Sequence, residues 1–350
     1  MKVLHLASAN RWTGAAAPAF AEVESLREAG TEAHYAYVGG YKLEAKIGHL
    51  GYAHAAIEKA QNPAAFYRTV AAIERIVEQH GIDLLHAHLT YDHWIARTVA
   101  RRRKLRLART FHARRVLRRD PFSAHLIRRT DHVFVINDAF RDAPTLRGRN
   151  VIFTPPPLDL RQFTPEGPNA RALYGFAPDA KVITVIGKLS AGRGFEEALQ
   201  TFAALRASGS DARMMIIGHG EHRPTLERLA QALNITPHVT FAGYHEDDLA
   251  EHYRASDVLL FTARGSDEGH RAVLEAMACG VVPATFPIEG MDALAGTLPL
   301  LARDPSPQSL AQHVAATLKG DLLQLRAQVI TRSHDFAYGR AAERLLAGYR

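Results

Sequence analysis

Short apolar runs recur along the chain and alternate with longer stretches whose apolar residues return every three or four positions. The first rhythm is that of buried strands and the second that of amphipathic helices. Val3-Leu-His-Leu-Ala predicts a strand, Ser8 to Gly14 a loop, and Ala17 to Ala29 a helix stopped by Gly30. Strands are then predicted at Tyr35–Val38, Asp83–His88, Leu107–His112, Val133–Ile136 and Val151–Phe153, with a helix over Pro63–Gln79. Thr90-Tyr-Asp-His-Trp94 is polar and aromatic and follows a strand's C-terminal end, where open α/β sheets bind ligands. Thr154-Pro-Pro-Pro157 continues neither a helix nor a central strand, because three successive prolines lack the backbone donor.

Beyond the prolines the alternation restarts. Strands are expected at Val182–Ile186, Arg213–Ile217, Val239–Tyr244, Val258–Thr262 and Val281–Ala284. Helices are expected at Phe195–Arg206, Pro224–Leu233, Leu249–Ala255, Arg271–Cys279 and Ser309–Leu318, with Ala327–Tyr349 mainly helical. Strand and helix in steady alternation predict α/β architecture, here two doubly wound, Rossmann-like domains over residues 1–155 and 156–350.

Composition narrows the class. The 350 residues are 47% hydrophobic and 23% charged, with one cysteine, Cys279, and no apolar run of membrane-spanning length. The opening residues run straight into a strand, so no signal peptide is expected, and the lone thiol agrees with a reducing, cytoplasmic setting. A net charge of +7 favours anionic partners. Twelve of the cations lie between Arg101 and Arg129: Arg101, Arg102, Arg103, Lys104, Arg106, Arg109, Arg114, Arg115, Arg118, Arg119, Arg128 and Arg129. This cluster is either a solvated face or a surface that docks on a charged acceptor or on anionic lipid of the inner membrane face. Nucleic acid is not expected, since no recognition module accompanies the charge.

Candidate chemistry concentrates at the predicted strand ends. Gly265-Ser-Asp-Glu-Gly-His-Arg-Ala reads as a loop feeding the helix Arg271–Cys279, whose free amides and dipole favour a phosphate. Asp267 precedes that helix, while Glu275 stands two turns into an otherwise apolar one and needs a hydrogen-bonding partner, for which a sugar hydroxyl would serve. Lys188 and Arg193 lie on the glycine-flanked loop after Val182–Ile186 and suit a diphosphate. Trp12 packs on a sugar face or covers its own loop. A period of two places His86 and His88 on one face, but no third ligand stands at metal spacing, so no metal is expected. No D-x-D occurs for a metal-clamped diphosphate.

An acid, seven residues and then Glu275-Ala-Met-Ala-Cys-Gly280 resemble the signature of the GT4 family of retaining glycosyltransferases, which have the GT-B fold. Thr110-Phe-His112 is similar to that family's Thr-x-His, and Asp159 to Pro165 to its interdomain segment. The resemblance implies two Rossmann-like domains facing across a cleft, with the last helix, about 335–350, crossing back to the first. It also implies a nucleotide-diphosphate sugar as co-substrate, without cofactor or metal, and a glycan, lipid-linked or small-molecule hydroxyl as acceptor. Carried over, Asp267 and His112 would act on the transferring sugar. Gly14, Lys188, Arg193, Tyr244, Gly269, His270, Arg271, Ala272 and Glu275 would hold the donor, with Trp12, Asp92 and His93 on the acceptor side. Two departures stand out: Glu268 and His270 replace glycines of the usual Glu-Gly-Phe-Gly, and the Arg–Lys order of the phosphate loop is reversed. Registering Glu268 as the first acid would need a one-residue deletion. The rival readings are a non-catalytic donor-binding subunit and a nucleotide-sugar epimerase of the same fold.

Overall fold

The computed structural model describes residues 1–59, 61–117, 120–263 and 270–350. The chain divides into two compact units, Met1–Pro157 with Phe336–Arg350, and Leu158–Asp335.

The first unit runs β1 (Lys2–Leu6), α1 (Ala16–Glu28), β2 (Glu32–Val38), α2 (Lys42–Ile47), β3 (Ala53–Ile57), α3 (Pro63–His80), β4 (Leu84–Ala87), α4 (Thr90–Arg103), β5 (Arg106–Phe111), α5 (Pro121–Arg128), β6 (His132–Val135) and β7 (Val151–Phe153). Its seven strands form one sheet in the order β3-β2-β1-β4-β5-β6-β7, every pair parallel. Direction of growth reverses between β1 and β4, the switch point where open α/β sheets bind ligands. Strand runs such as Leu84–Ala87 are wholly buried, as parallel strands covered on both faces must be. Asn62 caps α3 by accepting from the Ala65 amide, and Gly81 ends it in the left-handed region.

The second unit runs β8 (Val182–Ile186), α6 (Phe195–Ala207), β9 (Arg213–Ile217), α7 (Arg223–Ala232), β10 (Val239–Gly243), α8 (Leu249–Arg254), β11 (Val258–Phe261), α9 (Arg271–Ala278), β12 (Val282–Thr285), α10 (Met291–Ala295), α11 (Pro307–Lys319) and α12 (Leu322–Ser333). The sheet order β10-β9-β8-β11-β12, again parallel, puts the switch point between β8 and β11. Its core joins Ile183, Phe195, Phe202, Met214, Leu260 and Leu310.

Thr90–Trp94 forms the first turn of α4, because Asp92 at the third helical position accepts from the Leu89 amide at 2.8 Å and so caps the helix. The stretch Ala327–Tyr349 is mainly helical, as expected, and holds a break. Its first part ends at Ser333, a 3₁₀ turn follows over His334–Phe336, and α13 (Tyr338–Gly348) belongs to the first unit. Arg332 fixes the break by bonding the carbonyl oxygens of Leu294 and Ala293 and the carboxylate of Asp335.

Candidate active site

In the second unit, loops after β8, β9 and β10 are laced together by backbone bonds. The Leu189 amide donates to the His219 carbonyl at 3.0 Å, and the Gly218 amide to that of Gly243 at 2.6 Å. Gly218, at φ +143°, leaves no room for a side chain, since a Cβ would stand 1.8 Å from the Gly187 oxygen. The β8 loop is also tied across the switch point. Thr262, just past β11, donates its hydroxyl to the Gly194 carbonyl at 2.6 Å, and a Cβ on Gly194 would collide with the Thr262 backbone at 2.5 Å. The sequence therefore holds the Lys188–Arg193 loop against the chain leaving β11.

On that loop Lys188 is exposed and, among the described residues, pairs with Glu221 alone, at 3.9 Å. Arg193 is half-buried and has no side-chain hydrogen bond or ion pair among the described residues. Tyr244, at the end of β10, is exposed, edge-on to His219, and donates to Glu246 at 2.8 Å. His270 precedes α9 in the left-handed region at φ +53°, which is rare for a residue with a Cβ. It is buried, with Nε2 3.0 Å from the Glu289 carbonyl and Nδ1 unpartnered among the described residues. Arg271 and Ala272 form the first turn of α9. Glu275 is buried, and its partners come from the protein: the Tyr253 hydroxyl donates to Oε2 at 3.1 Å and Arg271 Nε stands 3.2 Å from Oε1. Cys279 is buried, which pushes its thiol up to about 12 and leaves it unreactive at neutral pH. Asp267, Glu268 and Gly269 lie outside the described residues.

In the first unit Trp12 covers its own loop: it meets Phe20 edge-on at 5.7 Å and carries the Lys46 ammonium 4.7 Å over its ring. Gly14 is exposed with nothing within 4 Å of a Cβ. The acceptor-side expectation for Asp92 and His93 meets a correction, because both are buried and engaged within the protein. Asp92 accepts from the Ser8 amide at 2.8 Å besides capping α4, and His93 Nε2 bonds Thr130 at 2.8 Å. Burial raises the Asp92 carboxyl to about 6, against the pull of the Ser8 bond and of Arg109. His112, just past β5, bonds through Nε2 to His88 Nδ1 at 2.9 Å, and its own Nδ1 has no partner among the described residues. Burial lowers its basicity to about 3, so the ring is neutral.

The basic cluster is not one open surface. Arg102 and Arg103 lie by Glu74, and Arg103 also pairs with Glu78. Arg106 donates to the Tyr349 carbonyl at 2.6 Å, and Arg114 pairs with Asp142 at 2.8 Å. Arg109 is 2% exposed, and burial draws its basicity down to about 10 although Asp92 opposes this. Its Nε and Nη1 are unpartnered among the described residues, and its guanidinium carbon sits 4.9 Å from the Phe111 ring centroid. Arg118 and Arg119 lie outside the described residues. Arg109 carries its own signal: with Leu107 and Phe111 it alternates on one buried face of β5.

Comparison with known proteins agrees with this geometry. Residues 168–335 match the family described as glycosyl transferases group 1, and residues 13–160 match glycosyltransferase family 4. Over 217 residues the chain is 30% identical to a D-inositol 3-phosphate glycosyltransferase of Geodermatophilus obscurus, covering 57% of this chain and 47% of that one. Over 284 residues it is 25% identical to a GDP-mannose-dependent alpha-(1-6)-phosphatidylinositol dimannoside mannosyltransferase of Mycobacterium tuberculosis, covering 80% and 70%. The crystal structure of Anabaena HepE in complex with UDP superposes with a TM-score of 0.80 at 15% identity, over 99% of each chain, a likeness of fold. The chain belongs to the GT4-type glycosyltransferases and has the GT-B fold. Its matches span about a third to a half of the length of the first curated relatives.

Proposed function

We propose that the protein transfers a sugar, with retention of anomeric configuration, from a nucleoside-diphosphate sugar to a hydroxyl acceptor. The observation that carries this reading is the Thr262–Gly194 tie, which holds the loop of two available cations against the end of β11 at the switch point. Lys188 and Arg193 would take the diphosphate, with the first-turn amides of α9. Glu275, already oriented by Tyr253 and Arg271, would hold the ribose. By its likeness to the family's Thr-x-His, His112 would act on the transferring sugar; its ring is neutral and its Nδ1 has no partner among the described residues.

In the reaction the bond between the anomeric carbon and the diphosphate oxygen breaks first, and the acceptor oxygen attacks from the same face. A departing phosphate oxygen takes the acceptor's proton. The relatives' names point to a polyol phosphate or a lipid-linked glycan as acceptor class. Incubation with nucleotide sugars tests the reading: nucleotide released only when acceptor is added supports transfer, an isomerised sugar means an epimerase, and tight binding without turnover means a binding subunit.

Arg193→Ala is expected to weaken nucleoside-diphosphate binding about 10- to 100-fold, the value of one charge-assisted hydrogen bond. Nucleoside affinity should barely change. Equal losses for both ligands in calorimetric titration would remove Arg193 from the phosphate site.

With cations and amides in place of a D-x-D clamp, turnover should need neither Mg²⁺ nor Mn²⁺ and should survive EDTA through the assay. Complete loss on chelation, restored by Mg²⁺ or Mn²⁺, would overturn the metal-free reading of the diphosphate.

A further inference from the structure

The interior of the first unit contains a knot of imidazoles that the transfer reaction does not use. His5 on β1 and His86 on β4 are direct partners in the parallel register, and His88 follows two residues on. The three rings lie 4.5 to 5.1 Å apart between centroids. Glu22 of α1 points into the middle of them. Its Oε2 is 3.7 Å from His5 Nδ1, 3.9 Å from His86 Nδ1 and 3.8 Å from His88 Nε2. All four side chains are buried, and Glu22 Oε2 has no hydrogen-bond partner among the described residues. An orphaned carboxyl oxygen in the interior costs on the order of 1–3 kcal/mol, more if ionised, and calls for an explanation.

We propose that His5 Nδ1, Glu22 Oε2, His86 Nδ1 and His88 Nε2 bind a transition-metal dication, Zn²⁺ by the chemistry of the donors, fastening the sheet of the first unit to its first helix. All four ligand atoms lie within 4.8 Å of one another. A tetrahedral zinc with bonds of about 2.1 Å needs ligand atoms about 3.4 Å apart. The three Glu22 distances contract by about half an ångström to reach that, and the 2.9 Å between His5 Nδ1 and His88 Nε2 opens by as much. Three imidazoles and one carboxylate suit zinc and disfavour magnesium and calcium, which take oxygen.

The outer ring of partners is also that of a metal site, in which each ligating imidazole has its second nitrogen held. With His86 bound through Nδ1, its Nε2 has Thr110 Oγ1 at 2.8 Å, and Thr110 stands 3.5 Å from the other Glu22 oxygen. With His88 bound through Nε2, its Nδ1 has His112 Nε2 at 2.9 Å. With His5 bound through Nδ1, its Nε2 has the Tyr349 hydroxyl at 3.3 Å. Two bonds are exchanged for metal ligation: that between Tyr349 and His86 Nδ1, 2.6 Å in the metal-free arrangement, and that between His5 Nδ1 and His88 Nε2 at 2.9 Å. Metal at this site would also fix His112 with its proton on Nδ1, since its Nε2 accepts from His88.

A second cluster, His34, His54 and His80, lies in the same unit and provides the internal control. The experiment uses the full chain without an affinity tag. Zinc content is measured after gel filtration, and the stripped protein is titrated with Co²⁺ and then with Zn²⁺. One equivalent of zinc per chain is expected, with an intense visible Co²⁺ spectrum of four-coordinate type that one equivalent of Zn²⁺ bleaches. Glu22→Gln, isosteric and uncharged, should weaken binding by more than about 100-fold, since losing even an outer-ring partner costs 10–100-fold. His54→Ala should bind as wild type. Substoichiometric zinc together with a weak, six-coordinate Co²⁺ spectrum overturns the site. So does binding that survives Glu22→Gln and is lost in His54→Ala. Should Glu22→Gln not fold, the wild-type stoichiometry and spectrum decide.

Discussion

Between pH 6 and 5 the metal-free protein is expected to lose stability, with the first unit failing first. His5, His86, His88, His93 and His112 are buried and neutral, and burial holds each far below the ordinary histidine value, to about 3 for His5 and His112. A histidine lowered in this way contributes stability that is fully present above about 6.5. That stability is lost as pH falls, because the unfolded chain takes up protons the folded chain refuses. Glu22 and Asp92 act in the opposite sense. Burial raises both carboxyls, Asp92 to about 6, so they stabilise the fold at low pH and cease to do so as pH rises through their folded values. In the window of about pH 4.5 to 6 the buried histidines outnumber the two carboxyls, so unfolding takes up protons on balance and stability falls as pH falls, by about 1.4 kcal/mol per pH unit for each net proton, against a domain's usual 5–15 kcal/mol. Both tryptophans, Trp12 and Trp94, lie in the first unit, so their fluorescence in denaturant titrations reads it selectively. A stability flat from pH 7 to 5 would contradict the burial of these rings.

Asp267→Asn is expected to lower kcat by a factor on the order of 10–1,000 at nearly unchanged donor affinity, on the scale of other lost electrostatic contacts in active sites. Positive charge develops on the sugar as the glycosidic bond breaks, so a carboxylate beside it is worth more in the transition state than in the ground state. Glu275→Gln serves as contrast. It keeps an acceptor for the Tyr253 hydroxyl but loses the Arg271 ion pair, and a ribose contact made equally in both states should show mainly in donor KM. Glu268→Gln tests the register and should do little. If Glu268 is the damaging position and Asp267 the silent one, the acid of the motif is one residue later. If neither changes turnover, the motif does not act on the reacting sugar.

Most of the sheet was legible because parallel strands buried on both faces leave unbroken apolar runs such as Val182–Ile186, and glycines or caps mark the helix ends. The loop between β8 and α6 was legible as a glycine-flanked turn carrying Lys188 and Arg193, but its tie to Thr262 was not, because that contact spans two distant stretches of chain. The start of α4 was not: its cap, Asp92, also serves the Ser8 amide, a loop distant in sequence. Glu22 was half legible. It falls on the same helical stripe as Ala19, Val23 and Leu26, where a carboxylate is out of place. Its company, however, depends on the pairing of β1 with β4 and on Tyr349, which no local pattern encodes. A histidine pair with no third ligand nearby in sequence is a poor sign of a metal; strand register supplies His5 from far upstream.

Helix α13 packs on α1, and a Cβ on Gly348 would stand 2.6 Å from Ile152 and Phe134, so the end of the chain is fitted closely into the first unit. The second unit is thus an insertion between two parts of the first. On the ribosome, strands β1 to β7 emerge long before the segment that covers them, leaving α1 without its neighbour while the whole second unit is made. The first unit therefore reaches its final form last, although it is synthesised first, an inversion of the usual order in which N-terminal domains fold ahead of those behind them.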